Sequence, residues 1–183
     1  MGWLMPDVVH DRVYEIESRS SSPSWDASGY RAELRKVSDL KSHELKDIQS
    51  LQGRRATMYL RVAYRSLSTH VLLIRLGTEV AAVLWVVPSE AIKRRYSFVQ
   101  SGTSAIISCV TSSEHRGRGL YPRGIEYVAA SGLSERYVIW AHETNHAGIR
   151  GIEKAGGTLV GEFTRKRWLR GIIAKVDYRK LNE

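Results

Sequence analysis

Residues 104–157 read SAIISCVTSSEHRGRGLYPRGIEYVAASGLSERYVIWAHETNHAGIRGIEKAGG, and the order of apolar runs, glycines and charges in this stretch decides the fold. Ser104 to Thr111 is an apolar, β-rich run of strand length. It feeds the basic turn Arg116-Gly117-Arg118-Gly119, where glycines tolerate positive φ and let backbone amides converge on one point. Pro122 suits the first turn of a helix, where its missing N–H is not needed, and Ile125, Val128 and Ala129 supply an apolar face that ends near Gly132. Tyr137 to Ala141 is a second buried strand, and Ala147 to Ala155 a short helix closed by Gly156-Gly157. Strand, glycine turn, helix, strand predicts two parallel neighbours joined by a right-handed crossover. The free N–H groups and partial positive charge at the first helix's start make a place for a phosphate. Arg116 and Arg118 add donors suited to a diphosphate. Taken alone, a short basic turn of this kind is more often only a turn.

Working outward, Val8 to Ile16 is a β-prone stretch that stops at the Ser-rich loop Ser18 to Ser24, with Pro23 inside it. Between Val37 and Leu67, Leu40, Leu45, Ile48 and Leu51, then Met58, Leu60, Val62 and Ala63, follow helical spacing and predict two helices broken near Gly53. His70 to Leu76 and Val80 to Val87 read as strands joined by a hairpin turn at Gly77-Thr78-Glu79, with Glu79 a solvated turn carboxylate. A polar loop containing Lys93-Arg94-Arg95 precedes Ser104, and Thr158 to Asp177 predicts two final strands turning at Gly171.

The 183 residues suit one domain, 1–183, large enough to bury about two-thirds of its unfolded surface. With 43% hydrophobic and 26% charged residues, the composition excludes a disordered or low-complexity chain. No apolar run approaches the ~20 residues of a membrane-spanning helix, and Met1 to His10 lacks the basic start and apolar stretch of a secretory signal. The expectation is a cytoplasmic protein without membrane insertion. Cys109 has no second cysteine to pair with and is expected to pack as a small hydrophobe without a catalytic role. The 28 Lys and Arg against 19 Asp and Glu give a net charge of +9, which favours anionic partners: nucleic acid, nucleotides or CoA phosphates. The clusters Arg54-Arg55, Lys93-Arg94-Arg95 and Arg165-Lys166-Arg167 read first as solvated surface. A basic nucleic-acid-binding module stacking bases on Trp25, Trp85, Trp140 and Trp168 is the competing class. Trp85 and Trp140 fall in core strands, which disfavours it.

The turn Arg116-Gly117-Arg118-Gly119-Leu120-Tyr121 resembles the acyl-CoA-binding motif of the GNAT N-acyltransferase superfamily: Arg or Gln, two variable residues, Gly, one variable residue, then Gly or Ala. The first and fourth positions match, and Tyr121 stands where the small residue is usual. Asn145-His146-Ala147-Gly148-Ile149-Arg150-Gly151-Ile152-Glu153-Lys154-Ala155-Gly156 is similar to the superfamily's following Asn and its helix ending Glu-Lys-x-Gly. The interval from Gly119 to Asn145 leaves room for one helix and one strand between the motifs.

This resemblance implies an α+β fold with a mixed, mostly antiparallel central sheet flanked by helices, and a splayed parallel strand pair that binds acyl-CoA. The co-substrate would be acetyl-CoA or another acyl-CoA, with no metal. Carried over by position, backbone groups of Val110 and Thr111 would hold pantetheine and the acyl carbonyl. Arg116, Gly117, Arg118, Gly119 and Leu120 would hold the diphosphate, and Asn145 would bond to pantetheine or on the acceptor side. The reaction would be direct transfer to an amine: an amino sugar, as in a surface-polysaccharide pathway, a small amine, an antibiotic, or a protein N-terminus or lysine. Relatives use a Tyr as general acid at the position of Ile152, which cannot donate. Tyr121 is the substitute candidate, with packing as its alternative role. His142 and Glu143, at a strand end opening onto the cleft, are the candidate bases, with a structural role the alternative for His142. A GNAT-like domain that binds CoA without turnover stays open, as does a homodimer.

Overall fold

The computed structural model describes residues 7–23, 25, 29–63, 68–168 and 172–181, with side chains described for those within 8–165 and from 176 onward. Among the described residues eight strands join one sheet: β1 (Asp7–Glu17), β2 (Tyr30–Lys36), β3 (His70–Leu76), β4 (Glu79–Pro88), β5 (Thr103–Thr111), β6 (Arg136–His142), β7 (Thr158–Trp168) and β8 (Ile172–Lys180). Their spatial order is β2-β3-β4-β5-β6-β1-β7-β8, so the first strand is inserted between β6 and β7. Every neighbouring pair is antiparallel except β5 and β6, which are parallel. The helices are α1 (Ser42–Gln52), α2 (Arg54–Ala63), α3 (Ser89–Ile92), α4 (Leu120–Ala129) and α5 (His146–Lys154). The architecture is α+β with a mostly antiparallel sheet between helices, as expected.

Central strands β3 and β4 are apolar on both faces because both faces are covered. Leu72, Ile74 and Leu84 pack with Ile125 and Val128 of α4 and Ile149 and Ile152 of α5. Val71, Leu73, Val83 and Trp85 pack on the other face with Ile48 of α1, Leu60 of α2 and Ile92 of α3. Each fully buried aliphatic side chain contributes about 1.5–3 kcal/mol, so this two-layer burial holds α4 and α5 rigidly over the sheet. Gly124 permits close approach: a Cβ there would lie 3.0 Å from Leu84 Cδ1. At the break between α1 and α2, Gly53 has φ +90, and Lys41 N–H donates to buried Glu44 Oε2 (2.8 Å) at the start of α1.

One strand had no reading in the sequence and two expectations change. Tyr30–Lys36 is an edge strand, its Tyr30, Ala32 and Leu34 packing on the α4 side while Arg31 and Glu33 are exposed, the usual protection of an edge. The β3–β4 turn is narrower than expected, with Glu79 already paired to Leu76 at the head of β4. Ser89–Ile92 is a helical turn ahead of Lys93-Arg94-Arg95. Gly171 and residues 64–67 lie outside the described residues, as do the side chains of Lys166, Arg167 and Trp168. No helix among the described residues is long and apolar enough to cross a membrane.

Candidate acyl-CoA cleft

Strands β5 and β6 pair from Thr103↔Arg136 to Ile106↔Ile139 and then part. Beyond that point β5 stays with β4 through Val83↔Val110 and Ala82↔Thr111, while β6 stays with β1 through Asp11↔His142. The register of β5 against β4 shifts between Val83 and Trp85, and Ser108 has φ +49. One extra residue in β5 forms a bulge there, and a bulge bends its strand. Bending β5 away from β6 opens a gap between two strands that would otherwise bond to each other.

That gap leads into a cleft of about 570 Å³ whose walls include Cys109, Val110, Thr111, Arg116, Gly119 and Leu120 on one side and Asn145, Gly148, Arg150 and Lys154 of α5 on the other. At its end Gly117 and Gly119 have φ +75 and +73, and neither would place a Cβ within 4 Å of any atom, so this backbone faces open space. Gly119 caps α4, and it lines the cleft together with Leu120 and Tyr121, so the start of the helix, where backbone amides lack helical partners, borders the cleft. Arg116 Nε donates to Thr111 O (3.3 Å), tying the turn to the end of β5.

Asn145 caps α5, its Oδ1 accepting from Gly148 N–H (3.0 Å). The helix is fixed at its far end by Arg19, whose Nη2 donates to Ala155 O (2.6 Å) while its backbone N–H donates to Ala129 O (3.0 Å) at the end of α4. One residue thus sets the spacing of the two helices that wall the cleft.

Tyr121, in the first turn of α4, packs with Cys109 of β5 against the same core face, and the Cys109 thiol donates to Ile107 O (3.7 Å). Burial raises the phenol's pKa, with the neighbouring thiol adding to the effect. Burial likewise pushes the Cys109 thiol up to about 12, against a smaller opposing effect of the nearby Tyr121 hydroxyl. Both groups therefore keep their protons near neutral pH. Ile152 is fully buried among the core residues of α4 and α5.

The cleft gathers Val110, Thr111, Arg116, Gly117, Gly119, Leu120, Tyr121 and Asn145. It does not gather Arg118, His142 or Glu143. Arg118 Nη1 turns to Tyr30 Oη (3.1 Å). His142 accepts the Thr144 N–H at Nδ1 (3.1 Å), which occupies that lone pair and leaves the proton on Nε2. Glu143 lines a separate polar groove of about 360 Å³ with His10, Glu162 and Asp177. The cleft also includes three polar residues that motif reading passed over: His115, Arg150 and Lys154. A signal existed for the last two, since a four-residue spacing on a helix puts both on one face.

Trp25 and Trp85 are buried and present no free stacking face, and Trp140 is half-buried against Tyr96 (ring centroids 4.8 Å apart) and Phe98 (5.7 Å).

No protein-family model matches the sequence, and no curated protein matches it. In structure the chain is similar to a GCN5-related N-acetyltransferase from Sphaerobacter thermophilus, at 12% identity and a TM-score of 0.60 over 96% of this chain and 52% of that one. It is similar to an acetyltransferase of the GNAT family from Colwellia psychrerythraea, at 12% identity and 0.56 over 85% and 55%. A third neighbour is a GCN5-related N-acetyltransferase from Kribbella flavida, at 15% identity and 0.54 over 85% and 56%. This chain spans little more than half the length of these neighbours. Likeness at this identity is a likeness of fold: the chain has the GNAT fold.

Proposed function

We propose that the protein is an acyl-CoA-dependent N-acyltransferase that uses acetyl-CoA and transfers the acetyl group directly to an amine. The observation that carries this reading is the parting of β5 from β6 after Ile106 and Ile139, above a helix start whose two glycines leave the backbone bare. A pantetheine arm has amides spaced to bond to the strand edges freed by that parting, and a diphosphate matches the amides at Gly119 and Leu120.

In this reading Val110 and Thr111 supply the backbone groups that hold pantetheine and the acyl carbonyl. Asn145, already committed through Oδ1 to capping α5, offers Nδ2 as a donor. The acceptor nitrogen attacks the thioester carbon, the C–S bond of the tetrahedral intermediate breaks, and CoA leaves as a thiolate that gains a proton while the amine loses one. A backbone amide aimed at the oxyanion is worth about 3 kcal/mol of barrier. Tyr121 serves the leaving sulfur. Since burial raises its pKa well above that of a thiol, full proton transfer from the phenol is uphill, and its contribution is a hydrogen bond to the developing thiolate. His142 can act as base only by exchanging its Thr144 partner, and Glu143 only toward an acceptor lying in its own groove. The acceptor class we favour is a small amine or amino sugar of a surface-polysaccharide pathway, since the motif segment looks like that of GNAT proteins acting on sugars.

A second reading, a GNAT-like domain that binds CoA without turnover, draws on neither candidate base lining the cleft and on Ile152 at the usual acid position. Native mass spectrometry of protein expressed in cells tests the shared claim: retained CoA or acetyl-CoA is expected, and its absence together with no binding of added acetyl-CoA would remove both readings. Thiol release on addition of amine and amino-sugar acceptors then separates the enzyme from the silent binder.

A further inference from the structure

Between the edge strand, the hairpin and the glycine turn runs a chain of hydrogen bonds that no motif accounts for. Arg118 Nη1 donates to Tyr30 Oη (3.1 Å), Tyr30 Oη and His115 Nδ1 are 2.9 Å apart, and His115 Nε2 and Glu79 Oε1 are 3.1 Å apart. One direction links every group: the tyrosine hydroxyl accepts from Arg118 and donates to Nδ1 of the imidazole, whose Nε2–H donates to the carboxylate. Tyr30 and His115 are each 5% exposed, and their rings meet edge to face at 83° with centroids 5.7 Å apart. The segment between β5 and the turn is tied separately to β4, Ser112 N–H donating to Ala81 O (2.9 Å).

We infer that Glu79, His115 and Tyr30 are positioning residues that act through Arg118, fixing the glycine turn in the shape its amides need, and that Arg118 is the anchor of that turn rather than a ligand for the diphosphate. The inference rests on the acyl-CoA reading for its functional consequence. Its physical basis is the conformational freedom of Gly117 and Gly119. A turn with two glycines at positive φ and nothing packed over it has little of its own to hold it. Ordering it only when ligand arrives would cost affinity, and an anchor that orders it beforehand removes that cost. Arg118 lies between the two glycines in sequence, so one guanidinium pinned to a buried phenol restrains both. A hydrogen bond between a charged donor and a buried neutral acceptor is strong enough for the purpose. Glu79, Glu114 and His115 also bring donor atoms within 4.8 Å of one another, but the imidazole there already bonds to Tyr30 and Glu79, and Glu114 accepts from Ser112 Oγ (3.1 Å).

The test uses Tyr30→Phe, which keeps the ring, and Arg118→Ala, at an exposed residue. Hydrogen–deuterium exchange on the free protein should show faster exchange at residues 116–120 in both variants. Acetyl-CoA affinity should fall about tenfold in each, and the double variant should be no worse than the poorer single one. S-acetyl-pantetheine, which has no diphosphate, should bind all four proteins alike. Unchanged exchange in Tyr30→Phe would overturn the anchor whether or not acetyl-CoA binds. Additive losses, or equal losses for S-acetyl-pantetheine, would overturn its action through Arg118 on the diphosphate amides. Should the unaltered protein fail to bind acetyl-CoA while the exchange result holds, the anchor stands and the proposed function is what fails.

Discussion

The ring of Tyr121 lies directly against the backbone of Gly151: a Cβ added at Gly151 would come 2.5 Å from Tyr121 Cδ1. Tyr121 stands where the motif that this turn resembles has Gly or Ala, and α5 answers with a residue that has no side chain. Gly151→Ala should therefore destabilise the fold although alanine is the better helix former. Overpacking costs about 1–3 kcal/mol, helix propensity returns about 1, and a net loss of about 1 kcal/mol is expected in denaturant unfolding. Adding Tyr121→Leu to Gly151→Ala should recover the loss. An undiminished midpoint in Gly151→Ala alone would mean that the ring yields freely.

Gly119→Asp should abolish acetyl-CoA binding while leaving a folded protein. At φ +73 any side chain is strained by about 1–2 kcal/mol, but asparagine and aspartate tolerate this conformation best. Gly119→Asn is thus the control, with nearly the same shape and strain and no charge. Calorimetry should give weaker binding for Asn and none detectable for Asp. Equal affinities for the two would mean that no phosphate sits at this turn.

The parallel pair, its helical crossover and the glycine turn were legible because each has a local signature: apolar runs of strand length, Pro122 in a first turn, glycines where φ is positive. The bulge that opens the cleft was not, since Ser108 carries positive φ without the Gly or Asn that would announce it. Nor was the place of β1 between β6 and β7, which depends on pairing across more than a hundred residues. Tyr30 and His115 are 85 residues apart, and their contact required β2, a strand hidden in a polar stretch. The state of His142 was closer to hand, because Thr144 stands two residues on and its N–H fills the lone pair that a base would need.

Above pH 9 the protein should lose stability faster than surface ionisation alone would cause. The Cys109 thiol is pushed from 9.0 up to about 12, and the Tyr121 phenol is also raised. In both cases the folded state holds its proton more tightly than the unfolded chain, so the stability is fully present below the unfolded pKa and is lost as pH rises toward the folded one. Each such group contributes a slope of up to about 1.4 kcal/mol per pH unit in that window. Cys109→Ala should flatten the decline between about pH 9 and 12 in pH-dependent unfolding. A slope identical to that of the unaltered protein would show the thiol to be no more buried when folded.

Tyr121→Phe removes the hydroxyl and keeps the ring that Gly151 accommodates. If the phenol donates to the departing thiolate, kcat should fall about tenfold or more while acetyl-CoA affinity stays within about twofold, because the interaction grows only as the C–S bond breaks. Full activity in the Phe variant would leave the hydroxyl as a packing partner of Cys109 alone.

Asn145 holds two proposed tasks on two atoms, and one substitution can separate them. Its Oδ1 caps α5 through Gly148 N–H, and its Nδ2 is the donor assigned to pantetheine or the acceptor. Asn145→Ala loses both and should cost about 1 kcal/mol of stability along with activity. Asn145→Asp keeps a capping oxygen, and its charge suits a helix N-terminus, so stability should be retained or slightly raised. What the carboxylate cannot do is donate: an acceptor oxygen now faces whatever Nδ2 served, and a negative charge beside the cleft repels an anionic ligand as well. Turnover should therefore fall in Asn145→Asp as far as in Asn145→Ala, while their unfolding midpoints differ. If Asn145→Asp instead kept full activity, Asn145 would be a helix cap alone, and the polar contact to pantetheine would have to come from the backbone of Val110 and Thr111.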